Sequence, residues 1–199
     1  MNAVNLEKNI KKRERFLNIA AALFAKKGYQ ACTVQEVADE MSLSKGGFYW
    51  HFKSKEELYI EVCESYCTSS ITIIADILSE EKLTYDLFLS GQNKLIDSYL
   101  KDPLQIDLVL EFYSEAKRSD AIHKELVSLS HERDKALVVL FTRLIDEKVI
   151  NIKNAETTSK SLVSLVLGLL LKFSLLKDVD SLRSEFNSSL LILCPKYSE

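Results

Sequence analysis

Three features of this 199-residue sequence have residue types and spacing suited to chemistry. Gly46 and Gly47 stand side by side in a chain with five glycines, and His51 follows within a run of aromatics, Phe48, Tyr49, Trp50 and Phe52. Cys63 and Cys67 are spaced to share one face of a helix. Paired glycines suit a phosphate-binding loop. A histidine suits proton transfer, and two thiols suit a metal or a redox couple.

Each of these accounts lacks a necessary part. A phosphate loop wants G-x-x-x-x-G-K-S/T behind a strand, and neither is present. His51 has no acidic or nucleophilic partner near it in sequence. A zinc site wants three or four ligands, and nothing beside Cys63 and Cys67 lowers a thiol pKa. No catalytic residues, metal or cofactor are therefore expected. The four cysteines, Cys32, Cys63, Cys67 and Cys194, show neither a CxxC pair nor a disulfide framework, and no signal-peptide pattern is visible. A reducing cytoplasm is the expected compartment. The longest apolar stretch, 161–176, is broken by Ser164, Gly168, Lys172 and Ser174. It is shorter than the roughly 20 apolar residues of a membrane span, so a helix buried on most sides is expected rather than a membrane anchor.

Charge is uneven along the chain. The net charge is −3, yet residues 1–58 carry ten Lys/Arg against seven Asp/Glu, and the remainder sixteen against twenty-two. A basic segment on an acidic body suits an anionic partner at one end.

The elements that position these residues read as helices throughout, an all-α fold of about nine. Two prolines and five glycines are few for a turn-rich fold, and no βαβ alternation occurs. Phe16, Ile19, Ala20, Leu23 and Phe24 recur at helical spacing, and Gly28 follows Lys26 and Lys27 as a stop. Thr33 and Glu36 fit a capping box opening a short helix over 34–41, with Val34, Val37, Ala38 and Met41 on one face. A brief turn leads to Ser44, the cap of a second short helix. Ser54 and Glu57 form another box, opening a long helix. Further helices are expected over 85–100, from Asp102-Pro103 onward, from Ser119-Asp120 to about Val149, and over 155–177 and 181–193.

Residues 33–52 thus read as helix, short turn, helix, the logic of a helix-turn-helix that places its second helix in the DNA major groove. Ser44 and Lys45 lead that helix with donors for phosphates or base edges, and Gly46 and Gly47 allow the backbone close to the duplex. Tyr49, Trp50 and His51 offer polar tips. Lys53 and Lys55 flank the amino terminus of the next helix, where the dipole favours a phosphate. Phe48 and Phe52, at i and i+4, face inward.

The run TVQEVADEMSLSKGGFYWHFKSKEEL, with Ile19-Ala20, Phe24 and Gly28-Tyr29 before it, resembles the amino-terminal signature of the TetR family of bacterial transcriptional repressors. The resemblance covers about 12–60. It implies a helical homodimer, with a three-helix DNA-binding head (1–58, its helix-turn-helix at 33–52) and a ligand-binding and dimerisation body (59–199). By this likeness Thr33 caps the second helix and meets a phosphate, and Gln35 stands where a side chain reads a base. Ser44, Lys45, Gly46 and Gly47 form the leading turn of the recognition helix. Tyr49 and His51 meet phosphates, Lys55 matches a phosphate-binding lysine, and Trp50 stands where some members reach DNA.

The resemblance also implies a pocket in the body for a partly apolar small molecule, with Cys63, Tyr66, Cys67, Phe88, Tyr99, Glu111, Phe112, Tyr113 and His123 as candidate lining. Ordinary core packing is the plainer account of each one singly. In the last two helices Leu165, Val166, Leu169 and Phe173, then Leu182, Phe186, Leu190 and Leu193, form apolar stripes. A four-helix dimer interface is the expectation. The function that follows is a ligand-responsive repressor on a palindromic double-stranded operator. The alternative is a helical protein-interaction or redox-sensing regulator without an organic ligand.

Overall fold

The computed structural model describes residues 3–102 and 104–198. Among them are nine helices: α1 (Ala3–Lys27), α2 (Val34–Glu40), α3 (Lys45–Tyr49), α4 (Lys55–Leu78), α5 (Tyr85–Lys101), α6 (Leu104–Glu115), α7 (Asp120–Asp146), α8 (Ala155–Leu176) and α9 (Val179–Leu193). The expected place of Pro103 at the first position of a helix lies outside the described residues. Among the described residues the one extended pairing is an isolated antiparallel bridge between Ile150 and Lys196, which the sequence pattern did not suggest.

The caps fall where the sequence puts them. Thr33 accepts from the Glu36 N–H, and the Glu36 carboxylate accepts from the Thr33 N–H, so the first box is complete. The second is displaced. Ser54 Oγ accepts from the Glu57 N–H at 3.0 Å, but the Glu57 carboxylate reaches back one residue further, to the Lys53 N–H. Thr84, Asn154 and Asp178, which the sequence reading did not name as caps, cap α5, α8 and α9 in the same way, and α9 begins two residues before the expected 181.

The chain divides into two compact units. One comprises Met1–Tyr66 and Asp107–Leu126, the other Cys67–Ile106 and Val127–Glu199. The segment expected as a head, 1–58, thus shares its unit with the start of α4, most of α6 and the start of α7.

The first unit has an aromatic core. Phe16, Ala20 and Phe24 are buried along one stripe of α1, with Val37 and Ala38 of α2 and Phe48 of α3 also buried. Phe16 meets Phe48 and Phe52 edge-on, at centroid distances of 6.4 and 5.3 Å. Tyr59 meets Phe24 at 5.1 Å and Phe112 of α6 at 6.1 Å, both edge-on. Such geometry suits the ring quadrupoles and adds about 0.5–1.5 kcal/mol per pair beyond burial.

In the second unit α8 and α9 pack together. Leu162, Leu169, Leu170 and Phe173 of α8 and Leu182, Phe186 and Leu190 of α9 are buried. Arg143 of α7 donates to the carbonyls of Leu78, Glu80 and Glu81 at 2.8–2.9 Å, fixing the turn after α4. The α8 helix runs 22 residues, beginning six before the apolar run, and an 18-residue window of it has a mean hydropathy of 1.7, long and apolar enough to cross a membrane by length and composition alone. Of that window 33% is buried, less than the burial on most sides that the sequence led us to expect.

Gly28 ends α1 with φ +80°, and a Cβ there would stand 3.1 Å from Glu111 Oε1. Gly28→Ala is expected to lower stability by about 1–2 kcal/mol, since an L side chain is strained in the left-handed region. Urea unfolding checks this as a lower midpoint with an unchanged slope.

Candidate nucleic-acid interface

The candidate site begins at Thr33, whose cap fixes the first turn of α2. Gln35 lies outward on that helix, its amide donating to Asp39 Oδ1 at 2.7 Å. After α2 the chain reverses through Ser42, which holds φ +56°. The Leu43 N–H returns to the Ala38 carbonyl at 2.8 Å. Ser44 then caps α3 by accepting from the Gly47 N–H at 3.1 Å.

The helix α3 is five residues long and sorts its side chains sharply. Phe48 is buried, as is Phe52 just beyond it. Tyr49 is 50% exposed and Trp50, the only tryptophan, 85% exposed. Ser44, Lys45 and Gly46 are exposed beside them. A large aromatic kept in water at this level, next to a lysine and a bare backbone, is the composition of a surface that stacks on or lies along a polyanion.

Two glycines stand here for different reasons. A Cβ on Gly46 would meet no atom nearer than 3.7 Å, so its backbone is open to an approaching duplex. A Cβ on Gly47 would come within 3.3 Å of Leu43 Cβ. The sequence suggested room for DNA at both. For Gly47 the turn itself, folding Leu43 back against α3, already calls for a small residue.

His51 is half-buried, its ring 4.9 Å from Phe16 and 5.5 Å from Trp50. Burial, then the charges of Lys12 and Arg13, hold its imidazolium below the ordinary 6.5. At neutral pH it is a neutral ring that offers one N–H, not a cation. Arg13 is engaged elsewhere, paired with Glu61 and lying over the Phe52 ring at 4.8 Å.

Lys55 departs from what the sequence implied. Its ammonium donates to the carbonyls of Tyr29, Gln30 and Cys32 at 2.7, 3.3 and 2.8 Å. An ammonium has three N–H donors, so all are taken within the fold and none is left for a phosphate. Among the described residues of α3, Lys45 is an exposed cation that enters no such network.

The family model described as "Bacterial regulatory proteins, tetR family" matches residues 16–62. The HTH-type transcriptional regulator QacR of Staphylococcus aureus (strain Mu50 / ATCC 700699) is 30% identical over 137 residues, covering 65% of this chain and 68% of QacR. This chain belongs to the tetR family. YerO of Bacillus subtilis (strain 168), an uncharacterized HTH-type transcriptional regulator, is 48% identical over 66 residues; that alignment covers 33% of this chain and 23% of YerO. A TetR-family transcriptional regulator from Agrobacterium tumefaciens has the same fold, with a TM-score of 0.79 at 14% identity, covering 94% of this chain and 98% of its own.

The candidate ligand residues of this TetR-family chain fall in both units. In the first, Cys63 and Phe112 are buried, Tyr66 and Tyr113 half-buried and His123 exposed. In the second, Phe88 and Tyr99 are buried and Cys67 half-buried. Glu111 is half-buried, and its Oε1 accepts from the Tyr29 N–H. Burial pushes the Cys67 thiol up to about 11 and Cys194 to about 12, which removes the thiolate that a redox sensor needs at neutral pH.

The expected dimer stripes are corrected in part. Leu169, Phe173, Leu182, Phe186 and Leu190 are already buried within the single chain. Leu165, Val166 and Leu193 are half-buried. The apolar side chains left in water on these helices are Leu171, Leu175, Leu176, Val179, Leu191 and Ile192. Sequence periodicity could not select them, since α8 is apolar on more than one side.

Glu36 links the cap to α1. The Lys27 ammonium, then the Thr33 N–H and hydroxyl, hold its carboxyl at about 2, below the ordinary 4.5. The stabilisation from its charged form is therefore complete above pH 4.5 and is lost as pH falls toward 2. Glu36→Gln should lower the denaturation midpoint above pH 4.5, and the two proteins should converge on acidification. A gap that does not narrow would contradict this.

Proposed function

We propose that this chain is a DNA-binding transcriptional repressor that reads a palindromic operator as a homodimer. The observation that carries this is the division of residues 44–52: Phe48 and Phe52 lie inside, while Lys45, Gly46, Tyr49 and Trp50 stand on one outward surface. Thr33 and Gln35, at the start of α2, are exposed as well, and supply the cap and the outward amide that a phosphate and a base edge would meet.

So little side chain at the head of α3 limits direct base reading. Lys45, Gln35 and the shape of the DNA must supply most of the sequence choice. Dimerisation through α8 and α9 is supported by the unpartnered Leu171, Leu175 and Ile192, with Ile192 79% exposed. A Cβ added at Gly168 would meet nothing within 4 Å, so this stretch of α8 gives a second helix room to approach. A two-fold axis there would place two heads on half-sites one helical turn, or a multiple, apart. A small molecule bound in the body would release the operator by favouring a conformer whose heads no longer match successive grooves, and only to the extent that it prefers that conformer. The cytoplasm is the natural compartment for such a protein. A protein-interaction module is the competing account, and DNA titration separates the two.

Titrating DNA from beside the chain's own gene into the protein should change Trp50 fluorescence, since this sole tryptophan would pass from water to the duplex. Lys45→Ala should weaken binding and reduce the salt slope by about 1 per subunit. Binding without salt dependence, or none at all, would reject the DNA reading.

A further inference from the structure

The turn joining α1 to α2, residues 28–32, is held from two sides by groups remote in sequence. From α4, Lys55 caps the carbonyls of Tyr29, Gln30 and Cys32, and its ammonium lies 4.3 Å from the centroid of the Tyr29 ring. From α6, Glu111 accepts from the Tyr29 N–H, and Glu115 accepts from the Gln30 side-chain amide at 2.5 Å. Glu115 is 3% exposed. Arg118 pairs with its other oxygen at 2.5 Å. The buried Tyr29 ring packs on Tyr59, centroids 4.3 Å apart, and Tyr59 itself packs on Phe112 of α6.

This network does work that helices cannot. The turn leaves backbone groups outside any helical ladder, and buried groups of that kind need partners. Lys55 satisfies three carbonyls and Glu111 one amide, so a cation meets the acceptors and a carboxylate a donor of one peptide segment. Charge-assisted bonds of this sort are shorter and stronger than neutral ones. The residue that ends the turn, Cys32, precedes Thr33, the cap of α2, and α2 leads within four residues to α3. Any rotation of the turn therefore moves the DNA-reading helices as a body.

We propose that Lys55, Glu111 and Glu115 are positioning residues: they set the α1–α2 turn, and through it the orientation of α2 and α3 for DNA, while touching no phosphate themselves. This rests on the DNA-binding reading above, and it reverses the role that sequence likeness implies for Lys55. The geometry makes two demands that a phosphate contact does not. Loss of Lys55 must leave the count of phosphate contacts unchanged. Loss of Lys55 and of Glu111 must not act independently, since both hold the same five residues.

The test measures operator affinity of the full-length protein against salt for wild type, Lys55→Met, Glu111→Ala, Glu111→Gln, the double variant Lys55→Met/Glu111→Ala, and Lys45→Ala as the phosphate-contact control. Lys55→Met and Glu111→Ala should each weaken binding about tenfold or more, with the wild-type salt slope. Glu111→Gln keeps an acceptor for the Tyr29 N–H and should stay within about threefold of wild type. The double variant should lose much less than the product of the single losses. Hydrogen exchange guards against a fold defect: the peptide over 28–34 should lose protection while that over 16–24 keeps it. If Lys55→Met exposes 16–24 as well, the Glu111→Ala and Glu111→Gln pair carries the test alone. A salt slope that falls by about 1 in Lys55→Met, losses that multiply in the double variant, or wild-type affinity in Glu111→Ala would each overturn the proposal. Failure of wild type itself to bind DNA would instead reject the function on which it rests.

Discussion

A helix of five residues has no stability of its own, because nucleation costs more than so few hydrogen bonds return. The segment α3 exists because Phe48 and Phe52 are buried against Phe16. Burying each phenylalanine contributes on the order of 1.5–3 kcal/mol, enough to hold a short helix that propensity, with two glycines in its middle, opposes. Everything on the outward surface follows from that anchoring. With positions 48 and 52 fixed inward, Tyr49 and Trp50 have only the solvent side available. The exposed tryptophan is thus a consequence of the buried phenylalanines, and the Gly47 contact with Leu43 completes the same fit.

A second constraint operates at the other end of α2. The α1–α2 turn needs a left-handed residue, supplied by Gly28, and partners for the carbonyls and amides that the turn leaves over. Lys55 and Glu111 provide them from α4 and α6. The same glycine leaves Glu111 room to approach, so backbone conformation and polar satisfaction are solved at one position. Ends of helices are where backbone groups lack partners, and in this unit a remote ion and a remote carboxylate take that role.

The two constraints differ in range, and that difference explains how far the sequence could be read. Helix order, the Thr33–Glu36 box, the Gly28 stop and the inward choice of Phe48 and Phe52 are relations within four residues. They are written in the local pattern and all are present in the structure. The likeness to the TetR family rests on that same local run. The bonds from Glu111 to Tyr29 and from Glu115 to Gln30 join residues 82 and 85 apart. No spacing in the chain announces them. A lysine at the start of a helix, read locally, looks like a phosphate ligand. Only the approach of the turn to Lys55 occupies its donors.

The last two helices show the same limit from another side. Their apolar residues were legible, but α8 is apolar on more than one face, so periodicity could not say which face meets α9. The fold settles it by burying Leu169, Phe173, Leu182, Phe186 and Leu190 and leaving Leu171, Leu175 and Ile192 in water. The sequence by itself determined the helical class, the element order, the caps at Thr33 and Ser44 and the inward turn of Phe48 and Phe52, because each depends on contacts within a turn of helix. The tertiary structure alone decided which of those residues keep a free polar tip and which apolar face stays open, because both depend on what packs from far along the chain.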